Sequence, residues 1–165
     1  MNGKRSLALV GMAVALGLAA LPAEAAAATT TAVSMTFSEP ILEDIQSGCP
    51  ALALPNGGFC GNGIVVPFGH ATEMIAFSGG CGGSCDLRTV TLGGGSITID
   101  EFFSSPSCPG VCQPNPAAPF AGTLNDLIVG GTGKFAGASG NVSGTVKADG
   151  PQSLIQLSGT ITLPT

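Results

Sequence analysis

The chain has no tyrosine, no tryptophan, five basic residues and a single histidine among 165. Each absence excludes something. Without Tyr or Trp, the eight phenylalanines are the only rings, so the side chains that most often line carbohydrate and aromatic-ligand sites are missing. So few Lys and Arg cannot build the basic stripe that nucleic acid or an anionic membrane requires, and neither is expected as a partner. Any Ser-His-Asp or Cys-His arrangement would have to pass through His70. No G-x-S-x-G elbow accompanies it, and a histidine opening a strand after a glycine reads as a surface residue. Long runs of strong helix formers are missing beyond the N-terminus, and no later segment is apolar for long enough to cross a bilayer as a helix.

What is present begins with a leader. Lys4 and Arg5 precede the uncharged apolar run Leu7 to Leu21, and Pro22 is followed by Ala23-x-Ala25, which suits a signal peptidase. Residues 1–28 are predicted to be a secretory signal peptide, and residues 29–165 a single domain of about 140 residues, enough to bury a core. Removing Lys4, Arg5 and Glu24 leaves three basic against nine acidic residues, a net charge of −6. The expected location is secreted, or at least extracytoplasmic, with no membrane association after cleavage.

The mature chain reads as strands. In "AVSMTFS", Val33, Met35 and Phe37 fall on one face and Ser34, Thr36 and Ser38 on the other. "SLIQLSGTITLP" repeats the pattern with Ile155, Leu157, Ile161 and Leu163. Between them, "GIVVPF", "HATEMIAF", "DLRTVTL", "SITIDEFF", "GTLNDLIV" and "NVSGTVKA" are rich in β-branched or aromatic residues and bounded by Gly, Pro or Asn. Only "EPILEDIQS" could form a turn or two of helix. Eight short strands predict an all-β fold, either a sandwich or a closed barrel, whose closure removes exposed edges. "SGCPALALPNGGFCGNG" and "SSPSCPGVCQPNPAAPF" read as loops.

Six cysteines in an exported domain predict three disulfides, for which 15 pairings exist. Spacing suggests local bridges, Cys49 with Cys60, Cys81 with Cys85 and Cys108 with Cys112, pinning loops at one barrel end. A zinc site from the two C-x3-C pairs is the competing reading, opposed by oxidising export and by a spacing unlike a zinc knuckle. Neither pair has the C-x-x-C spacing of a thiol oxidoreductase. No metal is expected.

The stretch "LIVGGTGKFAGASG" raises the question of a nucleotide. A Walker loop fails, because Phe135 stands where a hydroxyl must be and Ile128 where the first glycine must be. The dinucleotide pattern Gly131-x-Gly133-x-x-Ala136 fails because no helix can follow in "GASGNVSGTVKA" to hold the pyrophosphate. No cofactor is expected. The remaining reading is a strand-to-strand turn built on Gly130, Gly131, Gly133, Gly137 and Gly140, with Phe135 plugging the end of the core.

That turn, followed by "NVSGTV" and "LSGTITLP", resembles the C-terminal signature of the allene oxide cyclase barrel-like and dirigent-like proteins over roughly residues 122–164. The resemblance implies an eight-stranded antiparallel, calycin-like barrel, often secreted, whose lumen in some members binds or shapes a hydrophobic small molecule. Such a molecule is therefore the candidate partner. The functional lumen residues of those families have no position-by-position match here, and the tyrosine of dirigent sites is absent.

One constellation could carry chemistry. Alternation places Glu73 with Ile75 and Phe77, Arg88 with Val90 and Leu92, and Glu101 with Ile97, Ile99 and Phe103. If those faces point inward, three charges meet in the lumen. A hairpin around Gly79 to Gly83 would set Glu73 nearly opposite Arg88 as a cross-strand pair. Glu73 and Glu101 would then be acid/base or polarising groups, and Arg88 a counter-ion able to grip a carboxylate. The competing reading leaves all three at strand ends, in water, where alternation has lapsed. Asn141 begins a sequon, "NVS", within a predicted strand. The expected function is a non-catalytic small-molecule-binding or interaction module. A cyclase- or isomerase-like enzyme acting on a hydrophobic substrate in the lumen, and an extracellular structural or adhesive protein, are the alternatives.

Overall fold

A computed structural model describes residues 27–40, 48–104 and 119–165. The leader, most of the segment read as a short helix, and the loop carrying Cys108 and Cys112 lie outside the described residues.

Alternation along the strands becomes an inside and an outside. β1 (Thr29–Pro40) buries Val33, Met35, Phe37 and Glu39 and exposes the residues between them. β2 (Gly58–Val66), β3 (Gly69–Gly80), β4 (Cys85–Leu92) and β5 (Gly95–Glu101) follow as antiparallel neighbours. After Phe102 comes the two-residue β6 (Phe103–Ser104), then β7 (Phe120–Gly133), β8 (Ser139–Asp149) and β9 (Gln152–Leu163). β9 pairs with β1 along twelve residues, and β7 pairs with β5 from Gly95↔Gly133 to Asp100↔Leu127. That last pairing closes eight strands into an antiparallel barrel, with β6 extending the β5 side of β7.

The two ends differ. At one, tight connections join β2 to β3, β4 to β5 and β7 to β8. There Phe135 is fully buried, its ring edge-on to Phe68 at 5.1 Å, above Ile97, Ile161 and Ala138. The stretch is thus a corner with a plug, but a shorter one than expected: Gly130, Gly131 and Gly133 belong to β7 and Gly140 to β8, which leaves residues 134–138 for the turn. Gly133 and Gly137 have positive φ (58° and 74°), and Ala136 and Ala138 donate to the carbonyls of Gly133 and Phe135. A nucleotide loop would need those amides to face a ligand; here the turn uses them.

At the other end lie the long connections. The Cys49–Cys60 disulfide ties the β1–β2 connection to β2, and Cys81–Cys85 clips the β3–β4 hairpin. Both pairs are those expected from spacing. Cys81 and Cys85 are bonded to each other, which removes two of the four thiolates the zinc reading needed. Short 3-10 turns at Pro50–Ala53 and Cys81–Gly83 were not anticipated.

Two boundaries correct the sequence reading. Gly58 to Gly63, where Gly and Cys content predicts a loop, belongs to β2. "GIVVPF" ends as a strand at Val66, because Pro67, joined by a cis bond, and Phe68 form the turn into β3.

Candidate functional site

Glu73, Arg88 and Glu101 are all buried on the inner wall, Arg88 completely. They do not lie in water at frayed strand ends. The β3–β4 register differs from the expected one: Arg88 faces Ile75, while Glu73 faces Val90, two positions along. The hairpin closes at Gly80↔Cys85, a register that would leave Glu73 opposite Leu92, and the shift between Ala76 and Gly80 takes up two of those four positions. Arg88 still reaches Glu73, because a guanidinium spans the diagonal. Its Nη1 donates to Glu73, its Nη2 to Glu101, and its Nε to Glu101 Oε2 at 2.6 Å. The Phe37 ring lies 5.8 Å from its Cζ. Arg88 is therefore the counter-ion of Glu73 and Glu101, as expected, with its Nε, Nη1 and Nη2 each engaged by the protein's own carboxylates.

Two further acids complete the cluster. Glu39, at the end of β1, places Oε1 3.8 Å from Arg88 Nη1 and accepts a 2.7 Å hydrogen bond from Ser153 at Oε2. Asp126, on β7, accepts the backbone N–H of Phe102 at 3.1 Å, capping the break between β5 and β6. Glu39 Oε1, Glu73 Oε1 and Asp126 Oδ2 have no hydrogen-bond donor within the described residues. All four acids lie on inner strand faces, together with Arg88 and its single positive charge.

Such an imbalance cannot stay fully ionised in a low-dielectric interior. Burial pushes Glu39 up and Glu73 well above the usual carboxylate range, with the Arg88 charge opposing both shifts. The nearby Glu39 carboxylate adds to the rise at Glu73, since two neighbouring negative charges disfavour each other. Asp126 is pushed up to about 7, first by burial and then by the Glu101 charge. Arg88 is held charged by its carboxylates against the cost of its own burial.

Gly61 makes the Glu39–Glu73 approach feasible. It lies on β2, between the strands carrying the two acids, opposite Glu73. A Cβ there would stand 2.6 Å from Glu73 Oε1 and 2.9 Å from Glu39 Cγ. Gly61→Ala is expected to separate the pair and destabilise the barrel by about 1–3 kcal/mol through overpacking. Urea titration followed by circular dichroism checks this. An unchanged midpoint would mean the acids do not depend on the missing side chain.

Beside the cluster, towards the disulfide-tied end, is a cavity of about 30 Å³, room for about two waters. Glu39, Asp86, Arg88 and Glu101 border it on the polar side. Phe59, Phe77 and Phe103 border it too, the first two edge to face at 5.2 Å. The Asp86 carboxylate accepts the Ser78 N–H at 2.7 Å, and burial raises it as well. Towards the Phe135 end the lumen is filled by aliphatic side chains. His70 is exposed at that far end, away from every acid of the cluster. Asn141 is exposed on the outer face of β8.

Sequence reasoning found three of the five central residues. It missed Glu39 and Asp126, although the alternation Val33, Met35, Phe37 predicts Glu39 inside, and Leu124 with Ile128 predicts Asp126 inside.

A stretch of the chain is 36% identical over 101 residues to the AT-hook motif nuclear-localized protein 25 of Arabidopsis thaliana, covering 54% of this chain and 33% of that protein. The chain thus spans about a third of that relative's length. No protein-family model matches the chain, and no solved structure matches it.

Proposed function

We propose that the protein is a secreted, disulfide-pinned barrel that binds a small molecule, without transforming it, at the cysteine-tied end of its lumen. One observation carries this reading: a cavity bordered by half-buried rings and buried charges, with the Glu39 carboxylate oxygen lacking a donor beside it. Buried polar atoms left without partners at an accessible mouth mark a place where a ligand or water completes the set. The filled opposite end confines any ligand to this mouth. The sequence resemblance to allene oxide cyclase barrel-like and dirigent-like proteins supports a lumen site, and the leader-like N-terminus and the disulfides support export.

Two other readings have less behind them. A lumen enzyme would find an acid in Asp126, pushed up to about 7, yet the cavity is too small to enclose a hydrophobic substrate. An adhesive role needs a contiguous apolar patch. The exposed pairs Ile64 with Val66 and Leu127 with Val129 lie on β2 and β7, four strands apart on opposite walls. The nuclear, AT-hook character of the Arabidopsis protein finds no basic stripe among the described residues, where Arg88 is buried and Lys134 and Lys147 are the other two bases.

The test is native mass spectrometry of the oxidised protein taken from its secretion medium, together with ligand-observed NMR against a fragment library. A saturable small-molecule adduct, recovered chemically unchanged and lost when Phe103 is replaced by Asp, is the expected result. Recovery of an isomerised product would favour the enzyme. A bare polypeptide that binds no fragment would end the binding reading.

A further inference from the structure

Taking the lumen mouth as a binding site, we propose that its ligand is a small organic cation, an alkyl- or arylammonium. Its nitrogen would point to Glu39 and Glu101 and its apolar part would lie between Phe59, Phe77 and Phe103.

The wall chemistry carries the inference. Among the described residues bordering the cavity, the side chains that can hydrogen-bond are three carboxylates and one guanidinium; the rest are phenyl and aliphatic. Carboxylates offer acceptors, and phenyl faces offer negative quadrupoles. The one donor, Arg88, faces inward: Nη1 goes to Glu73, and Nε and Nη2 both go to Glu101 Oε2. Glu39 Oε1 stays without a hydrogen bond, with Arg88 Nη1 3.8 Å away. Glu39 is itself buried, 2% exposed, so bulk water does not serve that oxygen. A ligand completing this wall must bring N–H donors and positive charge.

The same balance rejects other ligands. A carboxylate or phosphate would meet Glu39, Asp86 and Glu101 with no free guanidinium to offset them. A neutral alcohol could donate one hydrogen bond but would leave the charge imbalance as it was. Size agrees with an ammonium head. A cavity of about 30 Å³ accepts a group of one or two heavy atoms, and the rings at its rim accept a short hydrocarbon tail. A metal ion is a poorer fit, because the three wall carboxylates share their space with a guanidinium that already uses Glu101.

The test uses the full secreted chain with its disulfides intact and three near-isosteric probes: n-butylammonium, n-butanol and butyrate. Titration calorimetry and saturation-transfer NMR at low salt read the binding. The expected result is saturable binding of n-butylammonium, at least about tenfold tighter than n-butanol, and none of butyrate. Glu101→Gln should weaken the ammonium about tenfold and leave n-butanol unchanged. Phe103→Leu, which keeps every charge, should weaken it several-fold and shows whether any loss in the first variant reflects misfolding. If n-butanol or butyrate binds as well as the amine, the cation inference is overturned and the binding module stands. If none of the three binds, the cation inference falls, and a fragment hit or a co-purified neutral ligand would still uphold the module. If that search also finds nothing, both fall.

Discussion

Replacing Arg88 with methionine should destabilise the barrel by about 3–5 kcal/mol at pH 7, the cost of removing one partner from a buried ionic cluster. Methionine fills similar space but leaves Glu73, Glu101 and Glu39 without their shared cation. The midpoint of thermal unfolding should fall by on the order of 10 °C for a domain of this size. The chain has no Trp or Tyr, so unfolding is best followed by far-ultraviolet circular dichroism in urea. Electrostatics predicts a particular shape for the loss. As pH falls towards 4.5, the stranded carboxylates take up protons and the gap between variant and parent narrows. A mere packing defect would cost the same at both pH values. Arg88→Lys should lie between, because an ammonium keeps the charge but cannot bridge two carboxylates on different strands. Parental stability for Arg88→Met at pH 7 would show that the cluster does not hold β3, β4 and β5 together.

The parts of this site visible in the sequence were those that follow from alternation within one strand. Glu73, Arg88 and Glu101 each sit two residues from an inward aliphatic side chain, so their shared direction follows from the pleat alone. Glu39 obeys the same rule, but "EPILEDIQS" also carries a helical spacing that competes with alternation at the last inward residue of β1. Asp126 obeys it as well, between Leu124 and Ile128, but its hydrogen-bond partner is the backbone N–H of Phe102, which no side-chain pattern marks. The relation between strands was harder. Whether Glu73 faces Arg88 depends on how many residues the Ala76–Gly80 irregularity absorbs, and hydrophobic pattern does not count them. The start of β2 was hidden for a different reason: Gly58, Gly61 and Gly63 have no side chains to alternate. Gly61 acquires meaning only when Glu39 and Glu73 are placed on either side of it. The plug was legible, since a phenylalanine among glycines at a strand end has few other places to go. The cation-seeking character of the mouth was not, because it arises from the register that turns the guanidinium inward.

The parent protein should become more stable as pH falls from 8 to 5, opposite to the usual behaviour of domains whose carboxylates are ionised and paired. Asp126 titrates near 3.8 as a free side chain and is pushed up to about 7 in the barrel, so the folded state holds its proton more tightly than the unfolded chain. A group of this kind contributes stability fully below its unfolded value and loses that contribution as pH rises through the folded one. Glu39 and Glu73, both pushed up by burial, act in the same direction. Arg88 stays charged throughout and adds no slope of its own in this range. The decline should therefore run from about pH 4 to about pH 8, steepest between the two Asp126 values, at about pH 5–6, and levelling off above about 7. At about 1.4 kcal/mol per unit of displacement, Asp126 alone sets a ceiling of about 4 kcal/mol, and a measured change of about 2–3 kcal/mol would agree with it. Asp126→Asn separates the contributions. An amide can still accept the Phe102 N–H but never ionises, so this variant should be more stable than the parent at pH 8, by a margin that shrinks by about 2–3 kcal/mol at pH 5 and closes below about pH 4. The remaining slope then belongs to the Glu39–Glu73 pair, and Glu73→Gln should remove most of it. Stability that rises from pH 5 to 8 in the parent would mean these carboxylates are ionised and fully paired inside the barrel. That would contradict the excess of acid over base that defines the site.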